Sequence, residues 1–278
     1  MSSAAGEQVL RPGRRPRRQP PTLWARVVAS PWTYRLLTLA VFGCLWEVFA
    51  GYADSMLIPL FSGTVEGMFQ LVRTPEIWNA FLISNEAFVI GFAVSLVGIP
   101  IGFAMARFSI VDRASAPYMS ILLVTPTAAL IPILIIAFGL GLVSRVIIVV
   151  LFTVPYVIVN SAAGVRKVDT SLLEMARSFG ASERKIWWRI LLPGAMPGVM
   201  TGIRIGVGRA IEGMVIVELL MISVGIGYQI QQFTAMFESE LLYAIVALVV
   251  VEALVVVNAV RWLERRLGRW SHDTRLAD

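Results

Sequence analysis

The sequence predicts an all-α membrane protein with six transmembrane helices, and three observations support that prediction. Of the 278 residues, 57% are hydrophobic and 15% are charged, whereas soluble domains average about 45–50% and about 25%. Six apolar runs approach the roughly 20 residues that a helix needs to cross a bilayer. Basic residues gather in every second connection between these runs, which is typical of cytoplasmic loops.

The six predicted spans are separated by polar or basic connections. They cover residues 36–53, 87–106, 118–138, 146–165, 196–223 and 241–260. The third span contains Pro126 and Pro132. Because proline removes a backbone donor and clashes with the preceding turn, we expect this helix to be bent or broken. The six-helix domain runs from residue 35 to residue 265.

The distribution of basic residues predicts the orientation in the membrane. Lys and Arg are dense before span one, after spans two and four, and after span six, whereas the other connections hold only Arg73 and Arg145. This alternation predicts that the N- and C-termini are both cytoplasmic. Residues 1–34 are then a basic, disordered or interfacial cytoplasmic segment, and residues 266–278 are a cytoplasmic tail.

The motifs that the sequence lacks exclude several classes of function. The net charge of +6 is explained by basic loops on anionic membrane lipid, and no basic soluble face predicts a nucleic-acid partner. The phosphate-binding pattern G-x-x-x-x-G-K-[ST] is absent. No metal-ligand cluster and no nucleophile with a candidate base is present. We therefore expect no catalytic residue, cofactor or metal, and the chain is not predicted to be an enzyme.

The connection between spans four and five, residues 168–193, predicts two short helices. Ser171 and Glu174 have the spacing of a capping box, which would start the first helix. Gly180 suits the left-handed residue that ends a helix. The apolar residues of this helix fall on one stripe, at positions Leu172, Met175, Ala176 and Phe179.

The second short helix can be capped by Ser182, and Pro193 is expected to end it. The first helix is marginal in water on its own because it is so short, so its apolar stripe must dock on another surface. The residues leave two surfaces open. One is the membrane or the chain's own spans, and the other is a groove on a cytoplasmic partner.

The same connection resembles the EAA signature of permease subunits of bacterial ATP-binding-cassette (ABC) importers. The matching residues are Glu174, Ala176, Gly180, Ile190, Leu192 and Pro193. Met175 stands where the signature has alanine. Residues 126–141 and 201–218 also resemble the nitrate, sulfonate and taurine branch of that family.

The resemblance implies a type I ABC importer permease fold in the cell inner membrane, with residues 168–193 as its cytoplasmic coupling-helix loop. It implies ABC ATPase subunits as cytoplasmic partners, with Glu174 and Gly180 as coupling residues. A second permease copy would complete a central pathway. A periplasmic or lipid-anchored binding protein would deliver a small solute. Oxyanions or sulfonates are the expected solutes, with aromatic carboxylates and a vitamin precursor as alternatives.

Two other functions stay open at this point. An ATP-independent secondary transporter or channel would show inverted repeats and sites near the bilayer midplane, and no convincing repeat is present. A membrane scaffold that transports nothing is the second alternative.

Span five carries four ionisable residues, a type that is costly at membrane depth and usually faces protein or water. Arg209 and Glu212 are three apart and can pair along one helix. Arg204 and Glu218 lie within about 40° of each other around the helix axis. Two interpretations remain open. Arg204 reaches the inner interface while the others form structural ion pairs, or Arg209, Glu212 and Glu218 line a pathway or gate.

Two weaker patterns surround these charges. Gly198, Gly202 and Gly206 repeat every four residues, and such stripes let helices approach closely, so we expect a tight helix contact rather than a hinge. Beyond span five, residues 225–237 are expected to form an ordinary solvated connection outside the membrane.

Overall fold

The computed structural model describes residues 31–53, 55–221 and 224–267. Nearly all of the predicted N-terminal segment and of the C-terminal tail lie outside these ranges. In chain order the helices are α1 Pro31–Ala53, α2 Phe61–Val72, α3 Pro75–Ser95, α4 Gly98–Arg107, α5 Ser109–Val124, α6 Ile131–Phe138, α7 Leu142–Arg166, α8 Thr170–Ser178, α9 Glu183–Ile186, α10 Leu192–Met221, α11 Gly225–Ala235 and α12 Ser239–Leu267. A 3₁₀ turn, Thr127–Leu130, precedes α6, and a π turn, Trp187–Leu191, joins α9 to α10.

These helices can provide up to six crossings of a membrane, which agrees with the six spans that the sequence predicts. Five helical stretches are long and apolar enough, namely Thr33–Ala53, Pro75–Arg107, Leu142–Arg166, Glu183–Met221 and Ser239–Arg266. The sixth is the pair Ser109–Val124 and Thr127–Phe138, which bends by 91°. The bend confirms the expected break. Thr125 is extended, with ψ of 129°, because a residue that precedes proline is disfavoured in the helical conformation.

Span two is longer than predicted, because it begins at Pro75 rather than at residue 87. Asn85 and Glu86 interrupt the apolar pattern and conceal the first turns of the helix. In the structure Asn85 Nδ2 donates a hydrogen bond to Glu252 Oε1 of α12 at 2.5 Å. A partner on another helix therefore satisfies this polar group inside the bundle.

Helix α2, which the sequence pattern did not suggest, anchors α1 to the bundle. The Glu47 carboxylate of α1 accepts hydrogen bonds from the backbone N–H and the hydroxyl of Ser62, at 3.0 and 2.7 Å. Trp46 Nε1 donates to the carbonyl of Pro59 at 3.0 Å. A carboxylate near the end of a span thus caps the helix that follows it.

Helices α7 and α10 pack against each other along glycines, which confirms the tight contact predicted for the glycine stripe. A Cβ on Gly164 of α7 would lie 2.7 Å from the Ala195 carbonyl oxygen, and a Cβ on Gly198 would collide with the backbone of Gly164. Farther along α10, a Cβ on Gly202 would meet Asn160 at 3.0 Å. The two backbones approach so closely that a side chain has no room between them.

Replacing Gly198 by leucine is expected to destabilise the folded protein by about 1–3 kcal/mol or more, because overpacking forces the backbones apart. Gly208→Leu is the matched control for overpacking within a single chain, since a Cβ on Gly208 of the same helix meets nothing within 4 Å among the residues that the structure describes. Thermal unfolding of the purified variants in detergent measures the difference. Equal unfolding temperatures for the two variants would show that the contact is not tight.

Candidate functional site

Helix α8 is capped by Asp169, the residue before its first turn, rather than by the predicted capping box. Asp169 occupies the N-cap, and its carboxylate accepts a hydrogen bond from the Ser171 N–H at 2.9 Å. The same bond holds the pKa of the Asp169 carboxyl below its ordinary value, because it favours the charged form. The prediction of Ser171 and Glu174 as a capping box was therefore wrong, since an acidic residue two positions earlier already satisfies the free N–H.

Gly180 ends the helical turn in the conformation that the sequence predicts. Its φ is +75°, in the left-handed region that favours glycine. The Gly180 N–H donates to the Arg177 carbonyl and the Ala181 N–H donates to the Ala176 carbonyl, both at 2.9 Å. These bonds occupy carbonyls that the end of α8 would otherwise leave free.

The predicted apolar stripe of α8 divides between two faces in the structure. Ala176 of the stripe packs inward, together with Leu173, which was not part of the predicted stripe, against a core cluster that includes Phe103 of α4 and Ile186 of α9. The other residues of the stripe remain exposed and form what we call the exposed apolar face: Leu172 (43% exposed), Met175 (51%) and Phe179 (85%). Helix α8 is thus held by the protein's own spans on one side and presents an uncovered apolar surface on the other.

Helices α8 and α9, which we call the projection, are joined to the ends of the spans by ion pairs. Glu183 accepts hydrogen bonds from Arg177 Nε at 2.9 Å and from Arg107 Nη2 at 3.4 Å. Arg166 and Asp112 pair at 2.6 Å across α7 and α5. Exposed pairs of this kind contribute about 0–1 kcal/mol each, so they orient the projection more than they stabilise it.

The helix that follows does not end at Pro193, which corrects the sequence prediction. Its backbone continues through the π turn, in which the Leu192 N–H donates to the Trp187 carbonyl five residues back. In a regular α-helix the proline ring would clash with the carbonyl four residues earlier, and the wider π turn accommodates it. Ile190 and Leu192 are half-buried, whereas Pro193 is exposed. The Glu183–Met221 stretch therefore runs from the projection into the membrane.

On a partly exposed side of α10, Arg209 and Glu212 lie together at the wall of a cavity. Arg209 Nη1 and Glu212 Oε2 are 2.8 Å apart, and the guanidinium carbon lies 4.7 Å from the centre of the Tyr156 ring. The cavity measures about 280 Å³ and lies where α5 breaks, with Thr125 and Thr127 in its wall. The pair predicted between these two residues is therefore present.

Glu218 lies fully buried at a different place, where α10 meets three other helices. Its Oε2 accepts hydrogen bonds from Ser84 Oγ at 2.6 Å and from the Gly227 N–H at 3.2 Å. Its Oε1 lies 3.4 Å from Arg145 Nη1. The Ser84 oxygen accepts the Ile226 N–H at 2.9 Å. One carboxylate thus connects α10 to α3, α7 and α11.

The four charges of span five are separated by this geometry. Arg209 and Glu212 share the cavity, whereas Glu218 is enclosed by protein and pairs with Arg145. Arg204 pairs with Glu264 of α12 at 3.1 Å.

The segment after span five is not the solvated connection that we expected. It forms helix α11, whose first residues, Gly225 to Gly227, are buried. A Cβ on Gly225 would lie 2.5 Å from the Glu218 carboxylate, so this tight approach requires glycine. Sequence reasoning missed Arg145 and Ser84 as partners of Glu218. The Gly-x-Gly pattern soon after a buried acidic residue was the available signal.

Apolar helices long enough to span a membrane, three of which line a cavity that holds Arg209 and Glu212, define a multi-pass helical membrane protein of the transport class, since charges at membrane depth mark solute pathways. The chain belongs to the family described as "Binding-protein-dependent transport system inner membrane component", which matches residues 98–269.

Relatives with described functions extend this match over most of the chain. The taurine transport system permease protein TauC of Escherichia coli is 28% identical over 262 residues, covering 91% of this chain and 94% of TauC. The putative aliphatic sulfonates transport permease protein SsuC of Bacillus subtilis is 28% identical, covering 87% and 89%. The riboflavin transport system permease protein RibX of Chloroflexus aurantiacus is 27% identical, covering 84% and 88%.

A solved structure supports the fold. The chain is similar to a chain of the MetNI methionine ABC transporter in an inward-facing conformation, with a TM-score of 0.59 and 19% identity. The match covers 73% of this chain and 98% of the other. This similarity is evidence for the type I importer permease fold.

Proposed function

We propose that this chain is the membrane subunit of an ATP-driven importer, and that ATP is hydrolysed by separate ABC ATPase subunits. The observation that supports this most strongly is the exposed apolar face of α8. Leu172 and Met175 are exposed on a helix of nine residues, and the exposed Phe179 follows directly after it; such an apolar surface marks a protein interaction site. Helix-in-groove docking is the mode that suits it.

The projection lies on the cytoplasmic side in this proposal, as do both chain termini. The ends of the spans next to it carry Arg107, Arg166 and Lys167, and the projection itself carries Arg177 and Arg184. The opposite end holds Arg73, while Arg145 is buried in its ion pair with Glu218. This asymmetry is the one that retains basic loops in the cytoplasm.

The docked ATPase would act on the spans through two connections, a continuous helical stretch and an exposed ion pair. The helical stretch from Glu183 to Met221 links the projection directly to the cavity, and Glu183 links it to α4 through Arg107. Glu174 and Gly180 are exposed beside the docking surface, where they are free to contact the ATPase.

The transport pathway passes the cavity of Arg209 and Glu212 and is completed by a second copy of the chain. Glu212 and Gly208 lie on a side of α10 that the described part of the chain leaves exposed. A charged side chain on such a face is costly against lipid, so water or another protein surface must cover it. A homodimer around a central pathway supplies both.

The transported solute is a small sulfonate or a compound of similar size, delivered by a periplasmic or lipid-anchored binding protein. Two of the relatives carry taurine or aliphatic sulfonates in their names, and a third carries riboflavin. The small cavity favours the smaller class of solute.

Uptake into proteoliposomes that contain this chain, its ATPase and its binding protein tests the proposal. We expect uptake of a labelled alkanesulfonate or taurine to require ATP inside the cytoplasmic compartment. A catalytically inactive ATPase is the control and should abolish uptake. Uptake that persists without the ATPase would indicate a secondary transporter or channel, and a complex that moves no solute would indicate a scaffold.

A further inference from the structure

We propose that Arg209, Glu212 and Tyr156 form a subsite that selects a small zwitterion, a solute with an oxyanion group and an ammonium group. This inference rests on the proposed transport function and specifies the chemistry of its pathway. Its basis is an ion pair whose two members both keep unused hydrogen-bonding capacity at the wall of one cavity.

The unused capacity is visible in the hydrogen bonds of the pair. Arg209 donates to Glu212 through Nη1 alone, and in the described part of the chain its Nε and Nη2 have no hydrogen-bond acceptor. A guanidinium has five N–H donors, and a carboxylate has two acceptor oxygens. Among the described residues, Oε2 of Glu212 accepts the hydrogen bond from Arg209 and Oε1 has no donor. Both side chains are about two-fifths exposed, at 40% and 44%, so these groups can be reached.

Tyr156 fixes the position of the guanidinium. The Arg209 guanidinium lies over its ring at 4.7 Å from the centroid, a distance at which the ring attracts a cation. Tyr156 also lines the cavity. The aromatic ring therefore leaves the remaining N–H groups of Arg209 available for a ligand.

The opposite charges of Arg209 and Glu212 determine which solutes can bind at this wall of the cavity. A simple anion that approaches Arg209 also meets the carboxylate of Glu212, which lies 2.8 Å from the guanidinium nitrogen. A simple cation that approaches Glu212 is likewise repelled by the guanidinium of Arg209. A zwitterion places an opposite charge against each residue and forms charge-assisted hydrogen bonds with both. Without solute, the two residues neutralise each other, which suits a site within a membrane span.

The part of the cavity that this chain supplies is small, and the two charged groups at its wall lie 2.8 Å apart. Its volume of about 280 Å³ lies just below the range of about 300–1,000 Å³ that is typical of pockets for drug-sized ligands. The zwitterion is therefore a small molecule with few carbon atoms between its charges.

Protection of an introduced cysteine tests this subsite on the isolated full-length chain in lipid nanodiscs. Thr127 lines the cavity, so Thr127→Cys is made on a Cys44→Ser background and labelled with the neutral reagent N-ethylmaleimide. Three probes of matched size are added at equal concentration: 2-aminoethanesulfonate, ethanesulfonate and ethylammonium. We expect a saturating amount of 2-aminoethanesulfonate to slow labelling about tenfold, by mass action at the occupied site. The two single-charge probes should have no effect.

Variants then assign the protection to the pair. Arg209→Gln and Glu212→Gln should each abolish protection, whereas Arg204→Gln, which breaks the pair with Glu264 that is about one-third exposed, should retain it. Unchanged labelling rates without probe show that the variants are folded. Equal protection by ethanesulfonate, protection by none of the probes, or protection that survives either glutamine variant would each overturn the proposal. The assay contains no ATPase, so its outcome is independent of the test for ATP-driven uptake.

Discussion

Replacing Glu218 by glutamine is expected to reduce the stability of the folded protein by about 3–5 kcal/mol, the usual effect of removing one partner of a buried ion pair. Glu218 is fully buried and Arg145 is 6% exposed, so water cannot solvate the guanidinium of Arg145 once the carboxylate is removed. The variant keeps an oxygen for Ser84 and for the Gly227 N–H, but it leaves the guanidinium of Arg145 uncompensated. Thermal unfolding in detergent and the yield of monodisperse protein measure this loss.

A double variant separates the ion pair from the rest of the cluster. Arg145→Met combined with Glu218→Gln removes both charges while keeping the amide oxygen as an acceptor, so most of the stability should return. Arg204→Gln is the control, because its pair with Glu264 is about one-third exposed and contributes about 0–1 kcal/mol. A Glu218→Gln protein that assembles normally but transports poorly would contradict the structural role and favour a pathway role for Glu218.

Replacing Gly180 by asparagine is expected to uncouple ATP hydrolysis from uptake while leaving membrane insertion intact. A Cβ on Gly180 meets nothing within 4 Å in the described structure, and asparagine readily adopts the left-handed conformation found there. The chain itself therefore tolerates the change, and the added side chain intrudes on whatever docks on α8. A loss of docking affinity of about tenfold would correspond to 1.4 kcal/mol.

Gly180→Ala is the matched control, because alanine causes more backbone strain at this position than asparagine does but has a smaller side chain. The φ of +75° costs alanine about 1–2 kcal/mol, yet alanine adds less volume than asparagine. If the ATPase groove senses bulk, asparagine impairs uptake more than alanine does. The opposite rank order, or normal uptake in the asparagine variant, would show that Gly180 has only a conformational role at the end of α8.

Much of the fold could be read from the sequence because membrane insertion imposes strong local constraints. Apolar run length fixes the number of spans, and Pro126 fixes the break in span three. Where a span contains polar residues the pattern failed, and the start of span two at Pro75 was missed because Asn85 and Glu86 interrupt it. The predicted helix end at Pro193 was also wrong, because a π turn accommodates a residue that usually ends a helix.

Some features of the candidate site could also be predicted from the sequence, and others could not. Gly180 and the pairing of Arg209 with Glu212 depend on residues within a few positions of each other, so local geometry predicted both. The division of the α8 stripe was not predictable, since it depends on Phe103 of α4 and Ile186 of α9. The sequence also could not show that Tyr156 covers Arg209, because helical spacing carries no information about a neighbouring helix.

By itself, the sequence determined that this protein is a six-span helical membrane protein with a two-helix projection closed by Gly180. Those features follow from hydrophobic run length, basic loops and glycine conformation, which act within one segment of the chain. Only the tertiary structure decided the partners of Glu218. Ser84 and Arg145 lie 134 and 73 positions away in the chain, and a buried carboxylate is stabilised by whichever donors the packing of α3, α7 and α11 places around it.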